Sequence, residues 1–173
     1  YWLPAGLLEL GYRLTVEALA RPGAAPPTLD RCTATNAASQ LAYFLGRFGE
    51  TSVHGEESLA IAREIGNQPR ALDALLMLGY AADEAGDAAG ALGRYEDAIA
   101  LARALGDRAR LSYALNALGG HFVPGREAQA LPLYEESTAL AREVGDRDSV
   151  AVTLQNVGRA LIALGEGERA RAP

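Results

Sequence analysis

The sequence contains no lysine, so all sixteen of its basic residues are arginine. Without lysine, the chain has no P-loop lysine, no Schiff-base lysine and no kinase-type lysine for binding phosphate. If a longer parent protein hydrolyses ATP, that reaction lies outside this segment. The net charge of −6 also argues against direct contact with nucleic acid, because nucleic-acid-binding surfaces are normally basic.

Cysteine and histidine are nearly as scarce as lysine. The single cysteine, Cys32, cannot form an internal disulfide, which suits a reducing cytoplasm; it is either a small apolar helix residue or a reactive thiol. His54 and His121 lie in no HExxH motif and no Cys/His cluster with metal-ligand spacing. We expect His54 at the start of a helix and His121 just before the Pro124-Gly125 turn. The sequence predicts no catalytic residue, no metal and no cofactor, and therefore no enzyme.

Long hydrophobic runs are also missing. No stretch of about 18 uninterrupted apolar residues is present, and no signal peptide opens the chain. A hydrophobic fraction of 49% with 22% charged residues is typical of a globular protein. We therefore predict a cytoplasmic protein with no membrane partner. The start at Tyr1 and the end at Ala-Pro suggest a piece of a longer chain.

The sequence does contain one phrase three times: Ala-Arg-x-x-Gly followed by Asp or Asn, at 62–67, 102–107 and 141–146. Its glycines are 40 and 39 residues apart, and such a fixed period is typical of stacked helical repeats. A left-handed Gly ends one helix, and the Asp or Asn caps the next. The Arg lies in the last turn, where it complements the helix dipole. We interpret the phrase as a joint between helices.

The spacing of apolar residues predicts paired helices separated by short turns. The predicted helices lie near residues 7–20, 28–48, 53–65, 68–85, 87–105, 108–122, 126–144 and 147–164. Residues 22–27 include three prolines, which cannot continue a helix. This segment is predicted to be a structural connector, with a docking motif as the alternative.

One array of repeats over residues 1–173 accounts for these helices. Its predicted parts are a partial first repeat (1–21), the connector (22–27), a degenerate repeat (28–66), two full repeats (67–106 and 107–145) and a truncated last repeat (146–173). Incomplete terminal repeats expose apolar surface, here at Tyr1-Trp2-Leu3 and at the last helix. End-to-end self-association through these ends is therefore expected.

Small and large residues recur at fixed places in the two full repeats. They are Leu75, Leu78, Gly79, Ala82, Ala91, Tyr95 and Ala98 in the first, and Leu115, Leu118, Gly119, Phe122, Ala130, Tyr134 and Ser137 in the second. This pattern resembles that of the tetratricopeptide repeat (TPR) family. In it, a small residue lets the partner helix approach and the tyrosine fills the gap. Residues 28–66 depart from the pattern, with Ser39 at the glycine position and Gly55 at the aromatic position. The resemblance implies an all-α fold, a right-handed α-α superhelix of helix-turn-helix repeats.

Three further phrases carry a narrower resemblance: Tyr1-Trp2…Gly6, Pro22 to Pro27, and Glu56 to Gly66. They are similar to the C-terminal TPR region of bacterial multidomain regulators with an ATPase core, including LuxR-type, winged-helix and SARP-like transcriptional regulators. This resemblance implies a non-catalytic sensor module that binds a protein or peptide segment, intramolecular or from a partner. The alternative is a freestanding TPR scaffold for protein assembly.

The first helix of each pair lines the concave face of such an array, which is its usual binding surface. The inward positions of the family predict a peptide-binding groove formed by Asn36, Gln40, Tyr43, Asp73, Leu76, Tyr80, Asp83, Tyr113, Asn116, Gln155 and Arg159. Amide and tyrosyl groups hydrogen-bond an extended peptide backbone. Because Arg159 is the single cation against two aspartates, a neutral or basic segment is the predicted ligand. The paired acids Glu56-Glu57, Glu96-Asp97 and Glu135-Glu136 are interpreted as a solvated outer face.

Overall fold

The computed structural model describes residues 5–171. Within this range the chain forms eight α-helices, two short 3₁₀ helices and no strand, which confirms the predicted all-α class. The α-helices are α1 (Ala5–Leu19), α2 (Leu29–Phe44), α3 (Phe48–Glu64), α4 (Gln68–Glu84), α5 (Ala88–Leu105), α6 (Arg108–His121), α7 (Glu127–Val144) and α8 (Arg147–Ala163). One 3₁₀ helix, Pro22–Ala24, lies in the proline-rich connector, and the other is Arg169–Arg171. No described helix is long and apolar enough to cross a membrane.

Glycines in the left-handed conformation follow each helix from α2 to α8. Their φ angles lie between 65° and 103°. They are Gly46, Gly66, Gly86, Gly106, Gly125, Gly145 and Gly165. At Gly106 the turn closes with two backbone hydrogen bonds: Gly106 N–H donates to the Arg103 carbonyl (3.1 Å) and Asp107 N–H to the Ala102 carbonyl (3.0 Å). Only glycine adopts this conformation without steric cost, so the glycines fix where the helices end.

In each copy of the thrice-repeated phrase, the residue after the glycine caps the next helix. Asn67 Oδ1 accepts the Arg70 N–H at 3.1 Å, and Asp107 Oδ1 accepts the Arg110 N–H at 2.9 Å. Asp146 Oδ1 accepts the Ser149 N–H at 3.0 Å in the same way. The interpretation of the thrice-repeated phrase as a joint between helices is confirmed.

The helix predicted over residues 28–48 is wrong at its C-terminal end. Helix α2 ends at Phe44 and α3 begins at Phe48, five residues before the predicted start at 53. Gly46 has φ 72°, and Arg47 N–H donates to the Ala42 carbonyl at 2.9 Å, so this is the same turn as the others. The Arg47 side chain does not cap α3. Because this position lacks the Asp or Asn of the repeated phrase, the sequence pattern does not predict the joint.

The chain falls into two compact units, divided between Arg94 and Tyr95. In the first unit, α1 to α4 pack consecutively and α2 also lies beside α4. Its buried residues include Cys32, Ala38, Leu59, Leu72 and Leu75. In the second unit, α6, α7 and α8 pack consecutively and α6 lies beside α8. Its core includes Tyr95, Leu115, Ala130, Tyr134 and Leu161.

A small residue meets a large one where helices pack in both units. In the second unit, a Cβ on Gly119 would lie 2.5 Å from Tyr134 Cε1, so the ring occupies the space that glycine leaves, as the TPR pattern predicts. In the first unit the aromatic position is Gly55. A Cβ there would lie 2.9 Å from Leu78 Cδ2, so Leu78 of α4 fills the space instead. Ser39 Oγ donates to the Thr51 carbonyl at 2.8 Å, which satisfies this buried hydroxyl.

The scarce residues take simple places. Cys32 is fully buried with its Sγ 3.6 Å from the Ser58 carbonyl oxygen, as a small apolar helix residue would be. His121, the last residue of α6, lies just before the Pro124-Gly125 turn, as predicted. The prediction for His54 is wrong, because His54 lies inside α3, where its Nε2 is 3.1 Å from the Tyr12 hydroxyl.

The predicted apolar ends are described on one side only. Tyr1-Trp2-Leu3 lies outside the described residues. On α8, Leu154 is 43% and Ile162 67% exposed, and Leu164, which follows the helix, is 36% exposed. The last helix therefore presents apolar surface to solvent, as expected.

Candidate functional site

Two asparagines meet on the adjacent first helices of the second unit. Asn156 Nδ2 on α8 donates to Asn116 Oδ1 on α6 at 2.9 Å, and both side chains are half-buried. In this assignment Asn116 Nδ2 and Asn156 Oδ1 make no hydrogen bond within the described chain. The pair therefore leaves the amide NH₂ of Asn116 and the amide oxygen of Asn156 available to a ligand.

A cavity of about 250 Å³ opens beside Asn116. It lies between α6 and α8, with α7 behind it. Its lining residues are Ser112, Tyr113, Asn116, Ser137, Asp148, Ser149, Val152 and Thr153. Two residues of the predicted groove, Tyr113 and Asn116, thus share this wall.

The hydroxyls in the floor of the cavity are satisfied within the protein. Ser112 Oγ donates to the Ser137 carbonyl at 2.9 Å, and Ser137 Oγ donates to the Ser112 carbonyl at 2.7 Å. Thr153 Oγ1 donates to the Ser149 carbonyl at 2.9 Å. Since these polar groups already have partners, the floor presents mainly carbon to an occupant.

One carboxylate, Asp148, lines the cavity, and a second, Asp146, hydrogen-bonds two of the lining residues, Tyr113 and Ser149. Asp146 accepts a hydrogen bond from the Ser149 N–H at 3.0 Å, and its Oδ2 accepts from the Tyr113 and Ser149 hydroxyls, each at 2.7 Å. The Ser149 N–H first, and then the two hydroxyls, lower the pKa of Asp146 to about 2, so this carboxylate is charged at neutral pH. The neighbouring Asp148 carboxylate has no hydrogen-bond or ion-pair partner among residues 5–171.

The other two groove residues predicted in this unit, Gln155 and Arg159, lie exposed on α8. Gln155 was expected at the position that Asn156 takes. Asn156 follows Asn116 by 40 residues, which is the spacing of Gly66 and Gly106. That period would have identified it, whereas the 39-residue period of the last two repeats points one residue short. Asp148 and Val152 carried no such signal.

In the first unit, the predicted residues Tyr43 and Tyr80 meet on α2 and α4, with ring centroids 5.6 Å apart. Burial raises the pKa of Tyr80 to about 12, with Tyr43 and then Asp83 adding to the effect. Burial, and then the charges of Glu84 and Asp83, also raise the pKa of Tyr43. These residues form a neutral tyrosyl patch beside a carboxylate.

The remaining predicted residues of this unit are scattered. Asn36 is buried, and its Oδ1 has no hydrogen-bond partner in the described structure. Leu76 is also buried, whereas Gln40 is exposed. Asp73 lies 3.3 Å from an Arg70 guanidinium nitrogen. The structure thus brings together Tyr43, Tyr80 and Asp83, and leaves Asn36 and Leu76 inside the packing.

A family model for anaphase-promoting complex subunit 5 matches residues 30–120 and, a second time, residues 117–160. The chain belongs to this family. In this member of the anaphase-promoting complex subunit 5 family, the first match covers almost all of α2 together with α3 to α5 and nearly all of α6. The second match covers α7 and most of α8, and includes Asn156.

Solved structures show which fold the family member takes. A Rap protein complexed with competence and sporulation factor superposes with a TM-score of 0.85 at 12% identity, over 95% of this chain and 46% of that one. A Podosopora anserina kinesin light chain-type protein with nearly identical TPR-like repeats gives 0.57 at 18% identity, over 96% and 80%. BtubC from P. vanneervenii gives 0.56 at 14% identity, over 96% and 85%.

These likenesses confirm a TPR-like helical-repeat fold. The chain spans less than half the length of the Rap structure. No curated protein sequence matches the chain.

Proposed function

We propose that this chain is a non-catalytic module that binds an extended protein or peptide segment on α6 and α8, the adjacent first helices of its second unit. The observation that carries the proposal is the Asn116–Asn156 pair, which leaves an amide donor and an amide acceptor unused beside an open cavity. An extended peptide presents N–H and C=O groups in turn along its backbone, and each needs a partner when it leaves water. The asparagine pair can meet this requirement for a peptide of any sequence, because it hydrogen-bonds the peptide backbone and not the side chains.

The charge around the site supports a neutral or basic segment. Asp146 is held as an anion by three donors, and Asp148 adds a second carboxylate that has no ion-pair partner among residues 5–171. The cationic residues of α8 are Arg147 and Arg159, and both are exposed. Complementary charge favours encounter with the right partner and disfavours an acidic one.

A TPR-like neighbour also supports peptide or protein binding, because the Rap protein of similar fold is complexed with competence and sporulation factor. On this basis the module acts as the sensor of a larger bacterial transcriptional or signalling regulator. A bound segment, from a partner or from the same chain, would stabilise one state of a neighbouring domain. A nucleotide-binding domain encoded before Tyr1 in the full reading frame would support this context.

A freestanding scaffold for protein assembly is the second candidate. It is favoured by membership of a family that is described by a subunit of a multiprotein complex. A full reading frame without a nucleotide-binding or DNA-binding domain would select the scaffold over the regulator.

The binding proposal is tested with peptides selected by the purified chain from a displayed random library. We expect Asn116→Ala and Asn156→Ala each to weaken binding of the selected peptides by about 2- to 10-fold, since one backbone hydrogen bond contributes about 0.5–1.5 kcal/mol. Isothermal titration calorimetry gives the dissociation constants.

Gln129→Ala is the matched control, because Gln129 is an exposed amide side chain on α7, away from the pair. Peptides that bind both asparagine variants as tightly as the unchanged protein would contradict the proposed face. A library that yields no binding peptide would contradict peptide binding itself.

A further inference from the structure

We propose that the cavity between α6 and α8 is a pocket for one cationic side chain, arginine or lysine, of the bound segment. The inference rests on the proposed function and names the chemistry that this site selects. It combines the apolar floor, the uncompensated carboxylate on the rim and the size of the cavity.

The floor fits an alkyl stem. Its serine and threonine hydroxyls are all satisfied by backbone carbonyls, and Val152 and the Thr153 methyl group add carbon to the wall. A polar head placed deep in this cavity would lose water without gaining a partner, which costs free energy. An occupant therefore places carbon at the floor and its polar end at the rim.

The rim fits a cation. Asp148 lines the cavity and lacks a partner in the described chain, and Asp146 beside it is charged at neutral pH. The arginines at the start of α6 are already engaged: Arg108 lies 2.6 Å from Glu143 and Arg110 lies 2.8 Å from Asp107. The negative charge at the mouth thus remains available for a ligand.

The volume fits one long side chain. A space of about 250 Å³ corresponds to roughly eight waters at about 30 Å³ each. This is enough for an alkyl stem with a guanidinium or ammonium end, and too little for a folded segment. Arginine and lysine behave in this way elsewhere, burying the stem and keeping the charge in water.

The test uses n-butylguanidinium as the probe and n-pentanol as its neutral counterpart, each titrated into the full chain and followed by ¹H–¹⁵N NMR. We expect n-butylguanidinium to shift the amides of Ser149, Val152 and Thr153. Its affinity should exceed that of n-pentanol by about three- to fivefold, the range of an exposed ion pair, and the difference should shrink in high salt.

Two variants sharpen this test. Asp148→Asn should make the affinities for n-butylguanidinium and n-pentanol about equal. Val152→Phe should abolish the amide shifts, because the phenyl ring fills the cavity. The matched controls are Asp97→Asn, an exposed acid on α5, and Val144→Phe, an exposed valine on α7; both should leave the titration unchanged.

Equal affinity for the two probes, or no shift at the three amides, would overturn the pocket. The same holds if Asp97→Asn lowers affinity as much as Asp148→Asn. The probe binds without any peptide, so this result is independent of the peptide selection. Selected peptides whose binding depends on Asn116, together with a cavity that ignores n-butylguanidinium, would reject the pocket alone.

Discussion

Gly119 and Tyr134 show how one residue type dictates another. The ring of Tyr134 is buried, and its Cε1 would lie 2.5 Å from a Cβ at position 119. We predict that Gly119→Ala destabilises the protein by about 1–3 kcal/mol through overpacking, because neither the ring nor the helix can move freely. Urea denaturation gives the free energy of unfolding.

The adjacent Gly120 is the control. It is exposed near the end of the same helix, and a Cβ there would meet nothing within 4 Å. Gly120→Ala should therefore leave stability unchanged or raise it by up to about 1 kcal/mol, because alanine is the better helix former. Equal effects of the two substitutions would show that the ring does not determine the need for glycine at 119.

Gly119 and Tyr134 also show why packing positions are predictable from the sequence and binding positions are not. A glycine opposite a tyrosine satisfies a steric requirement that the repeat pattern records, so the sequence alone identifies the pair. Asn116 and Asn156 satisfy no such packing requirement. Helix packing therefore does not favour Asn156 over its neighbour Gln155 as the partner of Asn116. The 39- and 40-residue periods align Asn116 with Gln155 and with Asn156 respectively, and the placement of α6 beside α8 shows that Asn156 is the partner.

The joint between α2 and α3 carries the corresponding lesson for helices. The prediction of helix ends relied on an Asp or Asn after the glycine, which is present at Asn67 and Asp107 and absent at Arg47. The turn still forms, because the left-handed glycine and the backbone bond from Arg47 to Ala42 are sufficient. The glycine determines the joint, and the cap strengthens it.

We predict a graded loss of stability for substitutions at Gly46. A Cβ at Gly46 meets nothing within 4 Å, so the cost of substitution is purely that of its φ of 72°. Gly46→Ala should destabilise the protein by about 1–2 kcal/mol, and Gly46→Asn by less, because Asn tolerates this conformation better. Thermal melts rank the two variants.

Gly49, inside α3 and also open around its Cβ, is the reference. Gly49→Ala should not lower the melting temperature. A Gly46→Ala protein as stable as Gly49→Ala would mean that the turn is not required for α3 to begin at Phe48.

At the scale of the whole molecule, the sequence predicts the fold better than it predicts the binding surface. A period of 39 to 40 residues, alternating small and large packing residues and capped turns are enough to specify TPR-like helix pairs. Partner choice depends on surface residues such as Asp148 and Val152, which the repeat leaves free to vary. The cavity that these two residues line is formed by three helices, so no single sequence motif predicts it.

The exposed face of α8 leads to a prediction for the behaviour of the whole chain in solution. Leu154 and Ile162 are eight residues apart, which places them on the same broad side of this helix, and they are 43% and 67% exposed. Because apolar residues clustered on one helix face favour association, we expect concentration-dependent self-association in sedimentation velocity experiments. A Leu154→Glu/Ile162→Glu double variant should sediment as a monomer at concentrations where the unchanged chain does not.

Val144→Glu tests whether self-association is lost because the new charges lie on the α8 face or because negative charge is added anywhere in the unit. Val144 is 42% exposed at the end of α7, so this change adds negative charge to the same unit without touching the α8 face. It should leave self-association in place, whereas a general charge effect would weaken it as the double variant does. Circular dichroism melts of all three proteins show whether each variant is folded, because a monomer produced by unfolding would also lose its helical signal. A folded double variant that associates as strongly as the unchanged chain would exclude the α8 face as the contact.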